Sequence, residues 1–254
     1  MSRMEKVQHP NRWNWAYRHF YRKADLIVCQ SDFMLNELRE HLGLASKKLV
    51  RIYNPIDLQS LWELGHIGNS PYLGAGPHIV TAGRLSWEKG YDVLLDAMPQ
   101  VISALPAAQL HILGEGPRRL ELLQQSQRLG LTNVVHFLGF HQNPWRYFRH
   151  ADLFVLSSRN DALPNALLEA FALGTPVVAT DCPGSIREIQ HCNETMILVP
   201  SEDPSELSKG ILSGLQPRRP RTELAEARRR LHRFDLQQIA REYARILISN
   251  SDFK

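Results

Sequence analysis

Cysteine is scarce in this chain: Cys29, Cys182 and Cys192 are the only three among 254 residues. They are too few and too scattered for a disulfide framework or a zinc site, and they fit a reducing compartment. No charge-free apolar run is long enough to span a bilayer. The opening M-S-R-M-E-K-V-Q-H-P lacks the apolar centre of a signal peptide, so a cytoplasmic protein is expected, with room for peripheral contact at a membrane face. No D-x-D pair is placed for a divalent metal, and His111, His136 and His141 lack metal-ligand spacing, so no metal is expected. Internal repeats and low-complexity tracts are missing as well. Charge of one sign is not in excess, since 30 basic and 26 acidic residues leave a formal +4. Arg218, Arg219, Arg221, Arg228, Arg229, Arg230 and Arg233 nevertheless crowd one late segment. That cluster reads either as a solvated helix face or as a surface for anionic lipid headgroups or nucleic acid. It lacks the interleaved aromatics of a single-strand binding surface, so no nucleic acid partner is expected.

What is present can build a sizeable core, because 43% of the residues are hydrophobic. Short apolar runs alternate with helical segments, the pattern of an α/β fold with a doubly wound parallel sheet, Rossmann-like, covered on both faces. Strands are expected at His78 to Ala82, Gln109 to Leu113, Val134 to Leu138, Asp152 to Leu156, Pro176 to Thr180 and Thr195 to Val199. Helices are expected at Gly90 to Ala104, Arg118 to Leu129, Trp145 to Arg149, Pro164 to Leu173 and Ser185 to Gln190. Right-handed crossovers would put every strand's C-terminal loop on one edge of the sheet. Upstream, Leu26 to Cys29, Asp32 to Leu42 and Leu49 to Tyr53 read as a strand-helix-strand unit. Asn54 and Asp57 in Y-N-P-I-D shape the crossing that follows. A polar stretch from Gly65 to Gly76 reads as a linker, and residues after Asp203 read as closing helices. Trp13, Trp15, Tyr17, Phe20 and Tyr21 form an aromatic cluster with three readings: packing on the last helix, a membrane contact, or core for a partner surface.

The most informative phrase is D-A-L-P-N-A-L-L-E, Asp161 to Glu169. Pro164 suits a helix start, where its missing N–H costs nothing. The amides of Asn165, Ala166, Leu167 and Leu168 then lie near a helix N-terminus, where unpaired N–H groups and the macrodipole favour a phosphate. Asp161 stands before the helix, as a ligand contact or simply as its cap. Glu169 stands about one turn inside, where a lone charge within L-L-E-A-F-A would be costly without a partner.

A second phrase, A-G-R-L-S-W-E-K-G, spans Ala82 to Gly90. Its Arg84 and Lys89 supply a planar fork of donors and a compact ammonium, the groups that hold phosphate oxygens; alone, they would read as an exposed basic turn. Gly83 permits close backbone approach. Two further loops, at Gly114 to Gly116 and at Gly139 to His141 with Phe140, stand where they would wall a base pocket, although a glycine after a strand also serves a plain turn.

The stretch S-S-R-N-D-A-L-P-N-A-L-L-E-A-F-A-L-G-T-P-V-V-A-T, Ser157 to Thr180, resembles the signature of retaining glycosyltransferases of family 4. These have the two-Rossmann GT-B fold and pair two acids as E-x7-E. The similarity runs from about Ala24 to Leu247. Asp161 replaces the usual Glu and Ala162 the usual Gly; the shorter Asp alters the reach toward a sugar. The resemblance implies a donor domain that binds a nucleoside diphosphate sugar, UDP-linked first and GDP-linked second. Its diphosphate is held by Arg84 and Lys89, its ribose by Glu169, its sugar by Asp161, and its base by the Gly114, Gly116 and Phe140 loops. It further implies transfer with retention and without metal to a glycan or lipid-linked acceptor in envelope polysaccharide or lipopolysaccharide assembly. Residues 1–62 would be the tail of an acceptor domain with its crossover, 63–76 a linker, 77–202 the nucleotide-sugar domain and 203–254 the closing helices. With most of the acceptor domain outside this chain, two alternatives stand beside an active enzyme: a nucleotide-sugar-binding module without activity of its own, and a half that works with a partner chain. Phosphorylase-like chemistry would need a cofactor lysine, for which no phrase is seen.

Overall fold

A computed structural model of the chain describes residues 19–74, 76–192, 196–216 and 224–251. Trp13, Trp15 and Tyr17 of the aromatic cluster, Arg218, Arg219 and Arg221 of the basic segment, and Thr195 of the expected last strand lie outside the described residues.

The first strands of the described residues are a small parallel pair, β1 (Ile27–Cys29) and β2 (Leu49–Arg51), joined through α1 (Asp32–Leu42). The Ser31 hydroxyl caps α1 by accepting from the Met34 amide, and Gly43 ends it in the left-handed region. After α2 (Leu58–Gly65) come β3 (His78–Ala82), α3 (Tyr91–Ala104), β4 (Gln109–Leu113), α4 (Arg119–Arg128), β5 (Val135–Gly139) and α5 (Trp145–His150). The chain continues through β6 (Leu153–Leu156), α6 (Asn165–Ala172), β7 (Val177–Asp181), α7 (Ile186–Gln190), β8 (Ile197–Pro200), α8 (Pro204–Gly214), α9 (Leu224–Leu231) and α10 (Leu236–Ser251). Strands β3 to β8 form one parallel sheet in the order β5-β4-β3-β6-β7-β8. The expected α/β fold with a doubly wound parallel sheet is present.

Both faces of the sheet are buried, which explains the near-continuous apolar strands. Ile79, Leu110, Ile112, Val155 and Val178 pack on one side with Leu94, Leu122 and Leu207 from α3, α4 and α8. Val80, Phe154, Leu156 and Ala179 point to the opposite layer, with Leu61, Phe148, Leu168 and Ile186 from α2, α5, α6 and α7. This alternation is the period-two geometry of a strand.

The helix α2 was not foreseen. Asp57, expected to shape the crossing, accepts from the Ser60 amide at 3.0 Å and starts it, and Leu58 and Leu61 are buried. The segment before it is held by the end of the chain: the Ile56 amide donates to the Phe234 carbonyl at 2.7 Å, and the Leu236 amide to the Ile56 carbonyl at 3.0 Å. Within the stretch read as a linker, Tyr72 is buried, donates to the Tyr147 carbonyl at 2.7 Å and stacks on His78. Across β3, β4 and β5 the rings of His78, His111 and His136 form a row, in which His111 stacks on His136 and meets His78 at a tilt. The described arginines of the late segment do not form one open patch. Arg229 and Arg230 pair with Glu226, Arg228 reaches Gln59, and Arg233 turns inward to the Glu188 carbonyl and the Cys192 thiol. No helix among the described residues is long and apolar enough to cross a membrane.

Glu188 of α7 joins the small β1–β2 unit to the large sheet. Its carboxylate accepts from the Asp32 amide at 3.1 Å, the Phe33 amide at 3.0 Å and the Tyr53 hydroxyl at 3.0 Å, so it sits on the N-terminus of α1. Burial first, then the Glu188 charge, pushes the Tyr53 hydroxyl up to about 12.

Candidate active site

In an open α/β sheet, ligands bind outside the carboxyl ends of the strands where the winding direction reverses. Here that point lies between β3 and β6, which are neighbours although β4 and β5 intervene in the chain. The loop after β3 carries Gly83, Arg84 and Lys89, and the loop after β6 carries Asp161. The Lys89 ammonium donates to Asp161 Oδ2 at 2.6 Å, across 72 positions of sequence. Asp161 is 8% exposed, and the Ser158 hydroxyl also donates to Oδ2, at 3.2 Å. Its charge is felt nearby: burial first, and then Asp161, push the Cys182 thiol up to about 12.

Asp161 is therefore not the helix cap. Pro164 is the residue before α6, no side chain caps that helix, and the Asp161 backbone is instead bridged to the next loop. The Asp161 amide donates to the Pro183 carbonyl at 3.1 Å and the Ser185 amide to the Asp161 carbonyl at 3.3 Å. Gly184 is required between them. With φ of +140°, it brings the backbone so close that an added Cβ would stand 1.7 Å from the Asp161 carbonyl oxygen.

The start of α6 corrects one expectation. The Leu167 and Leu168 amides both donate to the Pro164 carbonyl, at 3.1 and 3.2 Å, so of the four only the Asn165 and Ala166 amides are without a backbone partner among the described residues. The Asn165 side chain accepts from Asn54 at 3.3 Å, which brings the Y-N-P-I-D crossing to this helix end. Glu169 is half-buried on α6. Burial pushes its carboxyl above the ordinary range, and the Trp145 indole beside it draws it part of the way back. That indole Nε1 lies outside hydrogen-bonding geometry and is a buried polar atom without a partner among the described residues.

The expected walls are stitched to this floor by backbone hydrogen bonds. The Gly83 amide donates to the Leu113 carbonyl at 2.9 Å, Leu85 to Glu115 at 2.9 Å, Arg118 to Leu85 at 3.0 Å, and Gly114 to Gly139 at 2.7 Å. A Cβ on Gly114, at φ of +133°, would meet the Gly83 carbonyl oxygen at 1.9 Å, and one on Gly116 would strike the Leu85 backbone. These glycines let adjacent loops close on each other. Arg84 is exposed; burial would raise the Glu88 carboxyl, and the Arg84 charge helps hold it below its ordinary range instead. The Phe140 ring is 76% exposed at the far end of the same edge. Thus Lys89 and Asp161 touch and Gly83 lies beside Lys89, whereas Arg84 and Phe140 face solvent and Glu169 lies one turn into α6 beside α5.

One charged residue of this edge escaped the sequence reading. Arg159 is 7% exposed and grips Asp92 in the first turn of α3, Nη1 to Oδ1 and Nη2 to Oδ2, both at 2.8 Å. It also donates through Nη1 to the Trp87 carbonyl at 2.8 Å and through Nε to Glu202 at 3.1 Å. Burial would raise the Asp92 carboxyl, but the Arg159 hydrogen bonds and charge, helped by Arg118 at 3.3 Å, hold it below its ordinary range. An Arg within S-S-R-N reads as a solvated loop residue; only the acids at positions 92 and 202, distant in sequence, disclose its burial. Among the described residues no three His, Cys, Asp or Glu side chains converge so as to hold a metal ion.

The family model described as "Glycosyl transferases group 1" matches residues 76–216, and "Glycosyltransferase Family 4" matches residues 5–60. The chain is 32% identical over 205 residues to the uncharacterized glycosyltransferase MJ1059 of Methanocaldococcus jannaschii, covering 78% of this chain and 50% of that protein. It is 30% identical over 229 residues to a Campylobacter jejuni enzyme named N-acetylgalactosamine-N,N'-diacetylbacillosaminyl-diphospho-undecaprenol 4-alpha-N-acetylgalactosaminyltransferase, covering 90% and 61%. The chain thus spans half to three-fifths of the length of these two relatives. Among solved structures, Anabaena Alr3699/HepE in complex with UDP and glucose superposes with a TM-score of 0.81 at 23% identity, over 93% of this chain and 66% of that one. This likeness is one of fold.

Proposed function

Because this chain belongs to the group 1 glycosyl transferases, we propose that it is the donor-binding part of a retaining, metal-independent family 4 enzyme that takes a nucleoside diphosphate sugar, UDP-linked first. The observation that carries this reading is the Lys89–Asp161 contact at the β3/β6 switch point, between the Gly83–Arg84 loop and the α6 amides of Asn165 and Ala166. Two cations and two unpaired N–H groups at one edge suit a diphosphate. As the bond from the sugar to the diphosphate breaks, negative charge grows on the leaving phosphate. Arg84, Lys89 and the two amides stabilise it there, and this preorganised field supplies most of the rate. These groups take the place of a divalent cation. Glu169 accepts hydrogen bonds from the ribose hydroxyls, Asp161 faces the sugar, and the acceptor attacks from the side the diphosphate leaves. A lipid-linked or glycan acceptor is supported by the undecaprenol-linked chemistry in the name of the Campylobacter relative, and envelope polysaccharide or lipopolysaccharide assembly on the cytoplasmic side of a membrane is the setting proposed.

The share of the relatives' length that this chain spans favours a second reading beside it, a nucleotide-sugar-binding module that depends on an acceptor-domain partner for activity. Calorimetric titration with UDP, GDP and their sugars, with and without EDTA, tests the donor reading. UDP binding that survives EDTA and is weakened by Glu169→Ala and Arg84→Ala is expected; no nucleotide binding refutes it. Release of UDP on addition of an acceptor extract separates the enzyme from the binding module.

A further inference from the structure

We propose that Arg159 is the positioning residue of this site: its guanidinium holds the Trp87–Lys89 turn and the Ser157–Asp161 loop in one register, so that the Lys89 ammonium is presented to the diphosphate. The proposal rests on the donor reading above.

Lys89 sits on a single 3-10 turn, Trp87–Lys89, which has no side-chain cap of its own. Arg159 supplies its anchors. Its amide donates to the Glu88 carbonyl at 2.8 Å and its Nη1 to the Trp87 carbonyl at 2.8 Å, while its Cζ lies 4.9 Å above the Trp87 ring. From the same loop, the Ser157 hydroxyl takes the third carbonyl of the turn, that of Lys89, at 2.9 Å. Every residue of the turn is thus held by the segment that ends in Asp161. Rigidity comes from behind the guanidinium, where Asp92 binds it in the bidentate fork that only arginine can match. Glu202 completes the cradle, and it is the one non-glycine with positive φ among the described residues, at 61°. A strained residue of this kind persists where the surroundings over-determine it. Asp92 in turn binds Arg118, so the start of α3 and the loops after β4, β6 and β8 share one charge network centred on the buried Arg159.

Arg159→Lys keeps the charge and removes the fork. In calorimetric titrations, it should weaken UDP binding about tenfold and leave uridine binding unchanged, because only the lysine contact to the diphosphate is displaced. In a Lys89→Met background the same change should add less than about a twofold loss, since its effect runs through Lys89. The ligand-free protein, reductively methylated with 13C, should show the Lys89 signal, assigned by its loss in Lys89→Arg, moving toward those of exposed lysines. Glu202→Gln, which leaves the Asp92 fork in place, should shift that signal in the same direction by less and serves if Arg159→Lys does not fold. UDP binding equal to wild type, equal losses for UDP and uridine, or additive losses in the double variant would each overturn the proposal. If the wild-type protein binds no UDP, the donor reading fails and the lysine signal decides alone: movement supports the positioning role, and an unmoved signal in both variants rejects it.

Discussion

Removing either partner of the Lys89–Asp161 pair should have unequal effects on stability and opposite effects on UDP binding. At 2.6 Å the attraction between the two charges is about 6 kcal/mol at an effective dielectric of 20, most of which offsets their desolvation. The two side chains are not equally dry, at 24% exposed for Lys89 and 8% for Asp161. Lys89→Met strands a buried carboxylate with one hydroxyl donor, Ser158, and should cost about 3 kcal/mol. Asp161→Asn leaves an ammonium that can reach water and a side-chain oxygen that still accepts from it, and should cost about 1 kcal/mol. For a chain of this size, those figures mean a fall in Tm of roughly 6–12 °C against roughly 2–4 °C. Asp161→Asn should also tighten UDP binding several-fold, because the ammonium no longer has to leave a carboxylate to meet the diphosphate; Lys89→Met should weaken it. Differential scanning calorimetry and titration calorimetry on the two purified variants give all four numbers. If Asp161→Asn destabilises as much as Lys89→Met, or both variants lose UDP affinity, the pair does not work as argued.

Three further outcomes are expected. Gly184→Ala should abolish soluble expression or cost more than about 3 kcal/mol, because its Cβ would enter the Asp161 carbonyl, whereas Gly43→Ala, with nothing within 4 Å, should cost about 1 kcal/mol; urea unfolding of the pair checks this. Burial first, then His136 and His78, push the His111 imidazole down to about 3, so it is neutral in the folded chain. Above pH about 6.5 both folded and unfolded states are neutral there and the group has no effect; as pH falls toward 3 the unfolded state takes up the proton and stability drops by at most about 5 kcal/mol. The wild-type minus His111→Gln difference in unfolding free energy should therefore change between those pH values, and a flat difference refutes it. Glu188→Gln should lower stability by about 1–2 kcal/mol by weakening the cap on α1, with Tyr53→Phe adding little in the double variant; additive losses would show that the three contacts are independent.

The sheet was legible because its strands are buried on both faces and therefore read as apolar runs. His78–Ala82 and Gln109–Leu113 stand where that reading puts them, and the rest differ by one or two residues at their ends. The helix α2 was not legible, since L-Q-S-L-W-E-L-G is one short stretch before a Gly-rich segment and only tertiary packing against α5 and α6 stabilises it. The two loops that meet at the switch point could be found from their own residues, yet the 2.6 Å contact between them depends on register that only the sheet supplies. The reading of four free amides on α6 counted too far along the helix: only its first few N–H groups lack an intrahelical acceptor, and the Pro164 carbonyl already serves Leu167 and Leu168. Arg159 was missed for the same reason that the row of His78, His111 and His136 rings was: polar residues scattered along the chain carry no periodic signal, and their burial appears only when distant partners assemble.

The seams between the loops after β3, β4 and β5 are made of main-chain groups. Leu113, Glu115, Leu85 and Gly139 contribute carbonyls whatever their side chains are. Side chains at Glu115 and Phe140 can therefore be exchanged without loosening the rim they stand on. A library confined to those two positions, with Arg84 left for the proposed diphosphate contact, would vary what the rim presents while its shape stays constant, which makes this edge a starting point for retuning the base preference of the proposed donor site.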